Sequence, residues 1–90
     1  MSYRVEIRPA ARRQIKKLPR EVQAKVLSRL TSLAEDPRPA GAEALQGNQE
    51  LYRLRVGQYR VLYEIHDGVL VVVVVRVGHR KEVYQNLSRA

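Results

Sequence analysis

The chain contains no cysteine, which excludes thiolate chemistry, disulfide redox and cysteine-ligated zinc. Its longest apolar run is Val69 to Val75, far short of the roughly 20 residues that span a bilayer. No basic segment followed by an apolar core opens the sequence, so nothing argues for secretion and a cytoplasmic protein is expected. Acidic residues are scarce: 9 against 17 lysines and arginines, for a net charge of +8 and a pI near 10.5. Such a balance implies a polyanionic partner, whether nucleic acid, an acidic protein or a membrane surface. The membrane fits least, because the basic residues do not lie opposite a large aromatic-rich apolar face.

Several chemistries are missing as well. His66 and His79 are the only histidines, on different elements and with no carboxylate cluster beside them, so neither a metal nor a cofactor is expected. Gly57, Gly68 and Gly78 each read as turn positions rather than as a phosphate loop. Ser2, Ser28, Ser32 and Ser88 lie in termini or helices, which leaves no serine triad. There is no internal repeat and no low-complexity segment.

What remains is one small domain over residues 1–90, long enough to build a core without staples. Tyr3 to Arg8 alternates as a half-buried strand. Pro9 suits the first position of a helix, whose apolar stripe is Ala11, Ile15 and Leu18. Pro19 separates it from a longer helix over Arg20 to Ala34, with Val22, Val26, Leu27, Leu30 and Leu33 on one face. Glu35 to Gln49 reads as a loop, with a helical turn as an option over Ala42 to Gln46. Three strands follow. Val56-Gly57-Gln58 makes a tight connection, and His66-Asp67-Gly68 reads as a hairpin turn whose Asp-Gly supplies positive φ. Val69 to Val75 shows no alternation, so it should be an interior strand covered on both faces. The expected fold is α+β, β-α-α-β-β-β with a short C-terminal tail, a mainly antiparallel sheet packed against a helical hairpin.

Period two divides these strands chemically. Tyr52, Leu54 and Val56 share a face with one another, and Arg53 and Arg55 share the opposite one. In the next strand Tyr59, Val61, Tyr63 and Ile65 fall on the core side and Arg60, Leu62 and Glu64 on the other. Arg76 and Arg80 extend the basic character, with Glu64 the one carboxylate to neutralise it. Guanidinium groups bind phosphate oxygens bidentately and stay charged. Metal-free RNA cleavage suits such a face, because the 2′-OH attacks the adjacent phosphate and the protein supplies only base, acid and positive charge. His79 titrates near neutrality, and Tyr84 would need neighbouring arginines to lower its pKa; both are candidate proton acceptors. His66, in a turn, is read as structural. Arg53, Arg55, Arg60, Arg76 and Lys81 are the candidate RNA-binding set.

Three stretches, YRVEIRPAARRQIKKLP, LYRLRVGQYRVLYEI and VVVVVRVGHRKEVY, together resemble the RelE-type toxins of the RelE/ParE toxin–antitoxin superfamily, over essentially the whole chain. The resemblance implies a ribosome-dependent mRNA endoribonuclease that inhibits translation. It also implies an acidic, RelB-like antitoxin that wraps and neutralises it, with oligomers formed only through that antitoxin. In family terms Arg53 and Arg55 match a basic pair at i and i+2, Arg60 follows Gly-x-Tyr, Arg80 follows Gly-His, and Tyr84 completes the set. Tyr84 would be the base for the 2′-OH and Arg80 the group at the leaving oxygen. Arg53, Arg55 and Arg60 would hold the phosphate. The chain departs from the family in carrying arginine where lysine is common at the first pair; arginine gives up no proton, which leaves His79 as a substitute. The ParE branch, which inhibits DNA gyrase by binding and without this basic–tyrosine set, is the alternative.

Overall fold

The computed structural model describes residues 2–45 and 48–79. Within them the chain runs β1 (Arg4–Ile7), α1 (Pro9–Lys16), α2 (Arg20–Leu33), β2 (Ala42–Leu45), β3 (Asn48–Val56), β4 (Tyr59–His66) and β5 (Val71–His79). The five strands form one sheet in the order β1-β5-β4-β3-β2. Only β1 and β5 pair in parallel; the other three ladders are antiparallel. The two helices cover one face.

Each helix starts where proline allows it. Pro9 occupies the first turn of α1, where its missing N–H would have no partner in any case, and Arg13 and Lys16 sit in the last turn beside the negative helix end. The carbonyls left over at that end are taken by Gln23 of α2, whose amide donates to Leu18 O at 2.8 Å and Lys16 O at 3.2 Å. One side chain thus ties the hairpin together. Ala11, Ile15, Val26, Leu30 and Leu33 from the helices meet Leu54, Val56, Val61, Tyr63, Ile65, Val72, Val74 and Val77 from the sheet in a single core. Leu27 does not join them: it is 45% exposed, because α2 presents Val26, Leu30 and Leu33 and turns Leu27 outward.

Four expectations are corrected. Residues 42–45 are a strand rather than a loop or helical turn. Ala, Glu and Leu are good helix formers, but the open edge of β3 offers a ladder, and β2 takes it with Glu43 opposite Arg53 and Ala42 opposite Leu54. The valine run starts its strand only at Val71. Val69 lies in the preceding turn, 71% exposed, and it is Leu70, not Asp67 or Gly68, that carries the positive φ of 54°. Gly57, in the two-residue β3–β4 connection, does have positive φ, as a Gly-first hairpin turn requires. Finally, Gly78 lies within β5 and not at a turn. The expectation that β5 is interior holds, since β1 and β4 flank it.

The β4–β5 ladder contains a register shift. Leu62 pairs with Arg76 but Tyr63 with Val74, so Val75 is an extra residue on β5. The shift reverses the facing of everything after it: Val72 and Val74 point to the helices, and so does Val77. The Val77 N–H donates to Gln14 Oε1 of α1 at 2.8 Å.

A polar clamp closes the far end of the sheet. Arg38 donates to both carboxylate oxygens of Asp67 at 3.2 and 2.8 Å and, through Nε, to the Tyr52 hydroxyl at 3.1 Å. The Tyr3 hydroxyl donates to Asp67 Oδ1 at 2.6 Å. Arg38, followed by Tyr3, holds the Asp67 carboxyl down to about 2, while the same contact raises the Tyr3 phenol above its ordinary value. Tyr63, stacked on Tyr52 at 5.9 Å, donates its hydroxyl to Pro37 O at 2.8 Å, and burial pushes its phenol up to about 12. The clamp holds residues 36–38, from which the chain leads into β2.

Candidate nucleic-acid interface

The face of the sheet away from the helices carries the arginines. Arg53 and Arg55 project from β3 on the side opposite Leu54 and Val56, which are buried in the core. Arg60 projects likewise from β4, opposite Val61. The register then sets rows across the sheet. Arg55 stands directly opposite Arg60, and Arg53 opposite Leu62, which in turn faces Arg76. Arg76 reaches this face because of the Val75 bulge; strict alternation from Val74 would have pointed it at the helices. Leu62 has no exposed surface and lies outside the helix-side core, so this row has an apolar centre between two guanidinium-bearing positions.

Facing like charges oppose folding. Cross-strand neighbours such as Arg55 and Arg60 have Cβ atoms roughly 5 Å apart, and like charges there are destabilising. Among the described residues Arg55 Nε meets the Gly57 carbonyl at 3.2 Å, and Arg60 Nη1 the Tyr59 carbonyl at 3.4 Å. Arg53 is different: its Nη2 lies 2.6 Å from Glu43 Oε2. Gly41, Glu43, Arg53, Arg55 and Arg60 line a cavity of about 370 Å³. Three guanidiniums around one open cavity, with one carboxylate, present the fork geometry that suits a phosphate.

Glu43 is the site residue that sequence reasoning missed. Once residues 42–45 are read as a loop, no face can be assigned to Glu43, and only the pairing with β3 places it beside Arg53. Glu64, expected to be the sole neutralising group, instead meets His66, Oε1 to Nε2 at 3.0 Å.

Of the sequence-derived set, Arg53, Arg55 and Arg60 come together around the cavity, and Arg76 shares their face. His79 does not join them. It pairs with Tyr59 at the end of the β4–β5 ladder, on the helix side, its ring 5.8 Å from the Tyr59 ring and nearly perpendicular to it. Arg80, Lys81 and Tyr84 lie outside the described residues.

The comparisons with known proteins agree with this architecture. The family described as ParE toxin of type II toxin-antitoxin system, parDE, matches residues 5–84. Toxin RelG of Mycobacterium tuberculosis is 34% identical over 94% of this chain and 99% of its own length. The mRNA interferase toxin RelE of Escherichia coli K12 is 33% identical over 93% and 92%. Among solved structures, the RelBE2 toxin–antitoxin complex of M. tuberculosis has a chain that superposes with a TM-score of 0.79 at 33% identity, covering 89% of this chain and all of that one. A mutant of E. coli toxin RelE in the free state gives 0.82 at 27% identity, covering 99% and 97%. With matches to sequence and fold over nearly the full length, the chain belongs to the ParE toxin family of type II toxin–antitoxin systems, as a toxin of the RelE type.

Proposed function

We propose that this toxin is an endoribonuclease that cuts ribosome-bound mRNA in the cytoplasm and so stops translation. The observation that carries the reading is the convergence of Arg53, Arg55 and Arg60 on one cavity, with Arg55 and Arg60 opposed at a cross-strand position where the fold gains nothing from them. Relatives named mRNA interferase support endoribonuclease activity in general. The donors on this face are guanidiniums rather than the carboxylates and imidazoles that hold divalent cations, so the reaction is written without a metal.

In that reaction the 2′-oxygen bonds to phosphorus, the bond from phosphorus to the 5′-oxygen breaks, and a 2′,3′-cyclic phosphate forms. Arg53, Arg55 and Arg60 stabilise the charge that develops on the phosphoryl oxygens. The proton from the 2′-OH goes to the Tyr84 phenolate, and the leaving 5′-oxygen takes its proton from water while Arg80 stabilises the charge on it; both assignments rest on the family resemblance. His79, on the helix side of the sheet and away from the arginine cavity, is the weaker candidate for proton acceptor. The partner is an acidic RelB-like antitoxin, in keeping with the RelE–RelB complexes among the structural neighbours.

The family's ParE description keeps gyrase inhibition as the second reading. Primer-extension mapping of mRNA ends after induced expression separates the two. New ends within translated codons, lost in Arg55→Ala, are expected. Unchanged mRNA together with inhibited DNA supercoiling by gyrase would replace the nuclease reading by the binding one.

A further inference from the structure

A second cavity, of about 350 Å³, opens on the helix side of the same sheet end. Gln14, Lys17, Leu18 and Pro19 form one wall, and Tyr59, Val77 and His79 the other. Its size lies in the range that small ligands occupy. Its chemistry is specific. The Tyr59 and His79 rings meet at 80°, making a corner in which a flat ring can stack on one and present its edge to the other. Leu18, Pro19 and Val77 add apolar surface. The Gln14 Oε1 is held by the Val77 N–H, which orients the amide and leaves its NH₂ group as a donor. Lys17 brings an exposed cation, and among the described residues no carboxylate lines the cavity. A planar heterocycle carrying an anionic group satisfies all of these surfaces at once.

The position narrows the choice. Tyr59 and Arg60 are consecutive, as are Gly78 and His79, and they pair crosswise as Tyr59 with His79 and Arg60 with Gly78. The two cavities are therefore the opposite sides of the same pair of ladder rungs. A single strand of RNA with a phosphate on Arg55 and Arg60 would bring a following nucleotide to this pocket by passing round the sheet end at the Gly57–Gln58 turn. We propose that the pocket formed by Gln14, Lys17, Tyr59 and His79 is a nucleobase site, taking a base of the same RNA whose phosphate lies on the arginine face. The inference rests on the ribonuclease reading above.

Nuclear magnetic resonance on the full chain tests it. Nucleoside 5′-monophosphates should shift the backbone signals of Lys17, Gly78 and His79, whereas ribose 5-phosphate, which lacks the base, should not. Lys17→Ala and the pocket-filling Leu18→Trp should both weaken the nucleotide response; Lys17 is exposed, so its variant stands even if Leu18→Trp does not fold. Tyr59→Ala should weaken binding of a short oligoribonucleotide roughly five- to hundredfold, the range for losing one base–aromatic stack. Equal shifts from ribose 5-phosphate would reduce the pocket to a simple anion site and overturn the proposal, as would the absence of any shift there. Failure of the nuclease reading shows separately, as intact mRNA in the primer-extension experiment while the nucleotide shifts persist.

Discussion

Replacing Arg55 by alanine separates what the arginine face does for folding from what it does for RNA. Arg55 is exposed and makes one hydrogen bond among the described groups, 3.2 Å to the Gly57 carbonyl. A solvent-facing bond of that kind contributes about 0.5–1 kcal/mol. Against it stands repulsion from Arg60 on the facing strand position. Two unit charges roughly 6 Å apart in a water-like medium repel by about 0.7 kcal/mol. The terms nearly cancel, so Arg55→Ala should change stability by less than about 0.5 kcal/mol. Its neighbour Leu54, fully buried in the core, sets the contrast: Leu54→Ala should cost about 2–5 kcal/mol. Function should move the other way. A charge-assisted hydrogen bond to phosphate contributes about 1.5–3 kcal/mol, so single-turnover cleavage of ribosome-bound mRNA by Arg55→Ala should fall roughly 10- to 150-fold. Urea denaturation measures the first quantity and quench-flow kinetics the second. A stability loss approaching that of Leu54→Ala would show the face assignment to be wrong. A cleavage loss under about threefold would remove Arg55 from the phosphate site.

Glu43→Gln should leave stability within about 1 kcal/mol, because its ion pair with Arg53 is 63% and 41% exposed, and should tighten oligoribonucleotide binding at low salt; weaker binding in a fluorescence titration would refute this. The Asp67 carboxyl is depressed in the folded state, so the unfolded chain binds more protons between the ordinary carboxylate value and about 2. Stability from the clamp is therefore present above about pH 4 and lost as pH falls toward 2, and Asp67→Asn should flatten the stability profile in that window alone. Tyr84→Phe should lower single-turnover cleavage at least about a hundredfold and His79→Ala less than about tenfold, with the reverse ranking overturning the tyrosine assignment.

Strict alternation decided in advance which residues of β3 and β4 face the helices, because a strand with one buried face has a single tolerable register. Arg53, Arg55 and Arg60 were therefore legible as one surface from their spacing alone, and Pro9 and Pro19 marked the helix starts by their fixed φ and missing N–H. The valine run was not legible in the same way. Five consecutive valines from Val71 carry no contrast between faces, so nothing local distinguishes a regular strand from one with an extra residue at Val75. Packing under α1 settled it, placing Val77 in the core and Arg76 on the arginine face, and with them His79 on the helix side. Residues 42–45 were decided by the strand that follows them, since only the unpaired edge of β3 turns a stretch of helix formers into a strand. Glu43 reached the arginine-lined cavity, and His79 the opposite face, through pairings between strands rather than through any preference of their own residues.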